Sequence, residues 1–223
     1  PFLKMCKHNI SHIFLPFDIQ IMIRKLFTKI KQHGKRMLGD VMFTHFEKRF
    51  HELSGKTWGI IGLGNIGRRV ADIAKAFGCR VIYYSTSGKN SQQGYERVEF
   101  DALLEQSDIV SVHAPLDKNT RGLMNREAFR EMKSSAVFLN LGRGPIVVEQ
   151  DLADALEAGE IAGAGLDVLS AEPMRKDNPL RKIKDSEKLI ITPHIGWASV
   201  EARTRLMEII CQQIADFQNQ IIL

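Results

Sequence analysis

With 223 residues, 44% of them hydrophobic and 26% charged, the chain has the balance of a globular protein with one large core or two small ones, and disordered or fibrous classes are excluded. The net charge of +5 belongs to the first quarter: residues 1–56 hold eleven Lys/Arg against four Asp/Glu, while the rest carries 20 basic and 22 acidic side chains. Cys6, Cys79 and Cys211 are odd in number and far apart, which argues against a disulfide framework or a zinc site and fits a reducing cytoplasm.

The first seventeen residues show no clear period. Residues 10–23 are apolar, but Pro16 and Asp18 interrupt them and no small-residue cleavage site follows, so neither a membrane span nor a signal peptide is expected. From Asp18, a candidate N-cap, apolar residues at 19, 22, 23, 26, 27 and 30 predict a helix over 18–32 that Gly34 ends. Its lysines read as a solvated face in preference to a nucleic-acid patch, and no nucleic-acid partner is expected. Residues 35–56 read as an irregular, basic connecting segment.

Thr57–Ile61 is an apolar run short enough to be a buried strand, and Gly62-Leu63-Gly64-Asn65-Ile66-Gly67 follows it directly. Apolar residues at 66, 70, 73, 74 and 77 then predict a helix face. Strand, glycine turn and helix in that order make a dinucleotide-binding arrangement. Gly62 permits the tight turn, Gly64 lets the backbone approach a pyrophosphate, and Gly67 lets the helix pack on the strand with its positive end aimed at the phosphates. Beyond it, strands are predicted at Cys79–Tyr84, Asp108–His113, Ala136–Asn140, Gly163–Val168 and Leu189–Ile191. Helices are predicted at Phe100–Gln106, Asn125–Met132 and Glu149–Ala158, with a polar loop over Ser85–Gln93. A last helix runs from near Ser199 towards Phe217, with apolar positions 206, 210, 214 and 217. Strands alternating with helices by short connections call for an α/β fold, a doubly wound parallel sheet of the Rossmann type.

Ligands bind such sheets at the carboxyl ends of the strands. After the second strand, Asp or Glu would hold the adenine-side ribose; here Ser85-Thr86-Ser87-Gly88-Lys89 stands instead. Without a carboxylate to repel a 2′-phosphate, both NAD and NADP are admitted, and a solvated loop that sets no preference is the equal alternative. His113-Ala114-Pro115-Leu116 follows another strand, and His113 reads as structural or cofactor-lining. Arg143, between Gly142 and Gly144, suggests a guanidinium gripping a planar anion, against the plainer reading of a surface arginine in a turn. Asp167 ends the strand Gly163–Val168, Glu172 lies in the loop beyond it, and His194 follows the last strand. Hydride transfer at an alcohol carbon needs such a set. A histidine moves the hydroxyl proton, a carboxylate orients it and raises its pKa, and an arginine binds the substrate carboxylate and polarises the carbonyl.

The motifs Leu53-Ser54-Gly55-Lys56-Thr57, the glycine turn, Ser111–Leu116, Asn140–Gly144, Gly165–Val168, Glu172-Pro173 and Thr192-Pro193-His194 together resemble the D-isomer-specific 2-hydroxyacid dehydrogenases. The resemblance implies interconversion of a small 2-keto acid and its D-2-hydroxy acid, with Arg143 binding the substrate, His194 as acid/base and Glu172 as its partner. It further implies that Asn65 and Ile66 line the pyrophosphate, that Asp167 contacts the nicotinamide side, and that Thr120 is a further cofactor contact. Ala114, Pro115, Leu141 and Gly142 lie in the same strand-end motifs and complete the expected cofactor lining; no metal is expected. Ser85 departs from the Asp usual in NAD-using members. Members also begin with a substrate domain that is missing or unrecognisable here, so low activity is expected of this chain alone. The expected organisation is a remnant of that domain and the linking helix over 1–52, a dinucleotide-binding domain over 53–196 and a returning helix over 197–223. The resemblance, with the apolar face of the 18–32 helix, also implies a homodimer, and the cysteine usage a cytoplasmic one. A non-catalytic dinucleotide-binding or corepressor-like module is the alternative, which the full Arg143–Glu172–His194 set disfavours.

Overall fold

The computed structural model describes residues 51–88, 94–185 and 187–221. The helix expected over 18–32 with its Asp18 cap and Gly34 stop, most of the 35–56 segment, and Lys89 with the rest of the loop to Gln93 lie outside the described residues. The chain divides into two compact units, Leu53–Ile195 and a second made of Pro1–Glu52 with Gly196–Leu223.

The larger unit is a seven-stranded sheet in the order β3-β2-β1-β4-β5-β6-β7, every pair parallel. The strands are β1 (Thr57–Ile61), β2 (Arg80–Tyr84), β3 (Glu96–Arg97), β4 (Ile109–Val112), β5 (Val137–Asn140), β6 (Gly163–Leu166) and β7 (Leu189–Ile191). Helices α1 (Asn65–Ala76), α2 (Phe100–Gln106), α3 (Arg126–Glu131) and α4 (Glu149–Ala158) connect them. Among the described residues, the strands and helices expected between Thr57 and Ile191 are present with ends within two residues; β3, two residues at the edge, was too short to leave a period.

The pleat sorts the core into two layers. Trp58, Ile60, Val81 and Tyr83 pack with Ala71 and Ala74 of α1. On the opposite face, Ile61, Ile82, Val110, Val112 and Phe138 pack with Leu103 and Leu104 of α2, Phe129 of α3 and Leu152 and Leu156 of α4. Phe129 and Phe138 meet edge-on, centroids 5.4 Å apart at 84°, an arrangement that adds about 0.5–1.5 kcal/mol beyond burial. Gly59 makes the central strand's second face possible. A Cβ there would stand 2.2 Å from Ser107 Oγ and 2.8 Å from the Leu103 side chain.

Two helix faces differ from the periodicity. α1 buries Gly67, Ala71 and Ala74, and Phe77 is 50% exposed. The packing stripe is therefore rotated from the large apolar residues to the small ones, because small side chains allow close approach to the sheet. In the second unit, α5 (Val200–Ile221) starts at Ser199, whose Oγ accepts from the Ala202 N–H at 3.1 Å. Its expected apolar positions Ile210, Ile214 and Phe217 are exposed. Among the described residues no helix is long and apolar enough to cross a membrane.

Candidate active site

Because all strands are parallel, the segments after β1, β2, β4, β5, β6 and β7 emerge along one edge of the sheet. The order reverses at β1, which lies between β2 and β4, and a crevice opens at such a switch point. Its walls are backbone. Gly62 has φ +92, and a Cβ on it would lie 2.9 Å from Ala114 Cα; one on Gly142 would lie 3.1 Å from Ala114 O. The three loops therefore meet at Ala114, which is buried beside exposed Pro115.

Gly64 is the N-cap of α1 and offers no side-chain cap, and the first intrahelical bond is donated by Arg68 to Gly64 O at 2.9 Å. The amides of Asn65, Ile66 and Gly67 precede it and have no intrahelical acceptor. No acidic residue occupies the first turn. A Cβ on Gly64 would meet nothing within 4 Å, whereas one on Gly67 would fall 2.3 Å from Gly62 O. A positive helix end, open donors and an unfilled cradle fit a pyrophosphate. At the end of β2, the Ser85 hydroxyl is buried without a hydrogen-bond partner among the described residues, a fit for a further polar group. The resident group suited to this crevice is thus a dinucleotide.

His113 is half-buried, and burial pushes its pKa down to about 4, so the ring is neutral near pH 7. Trp58 Nε1 donates to Ser111 Oγ at 2.9 Å, and His113 Nε2 lies 3.1 Å from the same oxygen. Tryptophan is only a donor, so Ser111 Oγ accepts from Trp58 and shares its remaining hydrogen-bonding capacity with His113 Nε2. Thr120 differs from expectation. It is fully buried, donating to Pro115 O at 2.7 Å and accepting from Asp117 N at 2.8 Å, so its hydroxyl shapes the 115–120 loop and presents no surface to a ligand.

Arg143 is exposed after β5. Fully buried Asn140 fixes its loop, its Oδ1 accepting from Gly142 N and its Nδ2 donating to Arg143 O, both at 3.1 Å. Leu141 is half-buried between them. Arg143 Nη1 donates to Gly142 O at 2.7 Å. Glu172 Oε2 accepts from His194 Nδ1 at 2.7 Å, and its Oε1 accepts from Leu169 N at 2.9 Å. Partial burial raises the Glu172 pKa, but the Leu169 N–H, His194 and the Arg143 charge together outweigh it and hold the carboxyl below its ordinary range.

His194 itself sits in the left-handed region, φ +52. Asp167 holds it there. Its carbonyl accepts from His194 N at 2.9 Å, and its Oδ1 accepts from Ile195 N at 2.9 Å and from Thr192 Oγ1 at 2.5 Å. Sequence reasoning missed this bracing and missed Asn140; an Asx residue closing a strand before a Gly-x-Gly loop was the available signal.

A crevice for a dinucleotide beside an arginine, a carboxylate and a histidine defines the class: a dinucleotide-binding domain with anion-binding and proton-transfer groups along its edge. Residues 21–196 match the family described as D-isomer specific 2-hydroxyacid dehydrogenase, NAD binding domain, and the chain belongs to that family. Hydroxypyruvate reductase of Blautia hydrogenotrophica is 47% identical over 169 residues, 74% of this chain and 51% of that protein. An acyclic imino acid reductase solved with NADPH and D-Arg superposes with a TM-score of 0.74 at 33% identity, covering 86% of this chain and 60% of that one. D-Lactate dehydrogenase from Aquifex aeolicus, solved with NAD and lactic acid, superposes at 0.78 with 26% identity, covering 96% and 67%. The chain spans about half the length of the curated relatives it matches.

Proposed function

We propose that this chain provides the cofactor-binding and acid/base half of an NAD(P)-dependent oxidoreductase that interconverts a small 2-keto acid, such as hydroxypyruvate or glyoxylate, with its D-2-hydroxy acid. The Glu172–His194 contact at 2.7 Å beside Arg143 carries this reading, since a non-catalytic binding module has no need of all three. Gly62, Gly64, Asn65, Ile66 and Gly67 hold the pyrophosphate. Ser85 faces the adenine-side ribose, and His113, Ala114, Pro115, Leu141, Gly142 and Asp167 line the nicotinamide end. When bound, the nicotinamide supplies or accepts the hydride.

The chain's own residues supply the rest. Arg143 binds the substrate carboxylate in fork geometry and polarises the carbonyl at C2. Glu172 accepts from Nδ1 of His194 and fixes the ring's orientation, so proton exchange with the substrate oxygen falls to Nε2. A carboxylate that stays ionised below its ordinary range keeps this partnership through neutral pH. Leu53–Ile195 acts as the dinucleotide domain, with 1–52 and 197–223 belonging to the substrate side. We place the protein in the cytoplasm as a homodimer, supported by its cysteine usage and the apolar spacing over 19–30.

Calorimetric titration with NADH and NADPH tests the cofactor, and reduction of glyoxylate or hydroxypyruvate tests the reaction. Binding of neither dinucleotide at millimolar concentration would sink the proposal.

A further inference from the structure

Glu149 is the first residue of α4, far in sequence from the proton-transfer pair, yet its carboxylate reaches the loop that carries Glu172. One oxygen, Oε1, accepts from Ser170 N at 2.8 Å. The other, Oε2, accepts from Asn178 Nδ2, also at 2.8 Å. Ser170 and Asn178 bracket the segment in which Glu172 lies. The near end is pressed further by Gly144, where a Cβ would stand 2.0 Å from the Leu169 carbonyl carbon and 2.4 Å from Ser170 N. The same turn donates Leu169 N to Glu172 Oε1 at 2.9 Å.

We infer that Glu149 is a positioning residue for the proton-transfer pair: by tying both ends of the 170–178 loop to the start of α4, it presents the Glu172 carboxylate to His194 Nδ1. The inference rests on the acid/base reading of that pair. It also explains why a carboxylate is needed. Asn178 cannot reverse its amide, because its Oδ1 already accepts from Leu180 N at 3.0 Å. The Asn178 NH₂ therefore faces Glu149, and Ser170 offers an N–H, so residue 149 meets donors on both sides. A carboxylate accepts from both, whereas a glutamine turns its own NH₂ against one of them. The exposed helix-start alternative, a charge that merely favours the α4 dipole, needs neither partner.

The test is a swap. In the chain without cofactor, the Glu172 side-chain carbon is followed by ¹³C NMR against pH, assigned by its loss in Glu172→Gln. The groups facing Glu172 are His194, Arg143 and the Leu169 N–H, and with these in place it titrates below the ordinary carboxylate range. Glu149→Gln loosens the loop, and the Glu172 midpoint rises towards the ordinary value. Asn178→Ala, which releases the far end with Glu149 intact, raises it as well. Glu149→Gln combined with Asn178→Asp restores donor to acceptor at both ends and returns the midpoint to its native value. In turnover, kcat falls roughly tenfold in Glu149→Gln, short of the hundredfold that a displacement of about 1 Å can cost, while dinucleotide Kd stays constant. A native midpoint in Glu149→Gln, or a double variant that remains raised, overturns the inference. Midpoints that move as expected in a protein that reduces no 2-keto acid would overturn the functional reading and leave the clamp standing.

Discussion

The turn at Gly62–Gly67 and the corner formed by Arg143, Glu172 and His194 lie along one edge of one sheet, yet they are built from opposite materials. The turn is backbone. Its specificity comes from where a Cβ is forbidden, at 2.3 Å from Gly62 O for Gly67, and from where the space is left open, at Gly64. The corner is side chain. Three residues spread over 52 positions, numbers 143 to 194, are brought together by bracing from Asn140, Asp167 and Glu149. The difference predicts separable failures. A methyl group should destroy the turn and leave the corner's chemistry intact, and loss of one polar atom should do the reverse.

The largest expected effect is at the corner. His194→Ala removes the proton carrier, so reduction of hydroxypyruvate or glyoxylate falls by about 10²–10⁴-fold, while NADH and NADPH dissociation constants measured by calorimetry hold steady. Turnover that persists in this variant would break the assignment of the proton to His194.

The complementary pair lies in the turn. Gly64 has φ −82, which alanine adopts without strain, and its added methyl meets no protein atom. Gly64→Ala should therefore leave the melting temperature unchanged and weaken dinucleotide binding by about tenfold or more, equivalent to about 1.4 kcal/mol. Gly67→Ala meets the Gly62 carbonyl, so it costs about 1–3 kcal/mol of stability in addition to binding. Equal melting losses in both would show that the open cradle is a packing feature and no ligand site.

These contrasts also mark what the sequence could reveal. The turn was legible because its whole requirement is contiguous, a strand followed by three glycines at fixed spacing. Arg143, Glu172 and His194 were legible at one remove, since each follows a predicted strand and parallel strands end together. Their bracing was not. Glu149 reads in sequence as an acid at a helix start, and only the folded loop shows it bridging Ser170 and Asn178. Thr120 fits a family contact by position, yet burial turns its hydroxyl inward. On α1 the hydrophobicity pattern included Ala74, which is buried, and Phe77, which is exposed, while Gly67 and Ala71 join the packing face because closeness to the sheet matters there more than apolar area.

His113 sits between the two regions and tests which of them sets the pH response. Its folded value of about 4 lies below the ordinary 6.5, so the unfolded chain takes up the proton first. Stability is therefore lost as pH falls from about 6.5 towards 4, by about 2 kcal/mol for a half-buried ring. Glu172 acts in a lower window, because its depressed carboxyl contributes stability that is lost only below its ordinary value of 4.5. Between pH 6.5 and 4.5, His113→Asn should flatten the fall in melting temperature without altering the shape of the pH–rate profile. A changed profile would move His113 into the proton-transfer corner.

The smallest effect is expected at Ser85, where the two materials meet: a side chain at the edge of the backbone crevice. Among the described residues its hydroxyl is buried with no acceptor or donor, and a buried group of that kind costs about 1–3 kcal/mol when unsatisfied. Ser85→Ala removes a buried hydroxyl that no described residue uses, so stability should hold or rise. If the hydroxyl serves the adenine-side ribose, the same variant weakens NADH and NADPH alike, because the contact precedes any 2′-phosphate. Ser85→Asp acts differently. A carboxylate accepts from both ribose hydroxyls and repels a 2′-phosphate, so the NADPH/NADH affinity ratio should move towards NADH by about tenfold, or about 1.4 kcal/mol. An unchanged ratio would mean that the end of β2 does not select the cofactor, and that selection lies in groups beyond this serine.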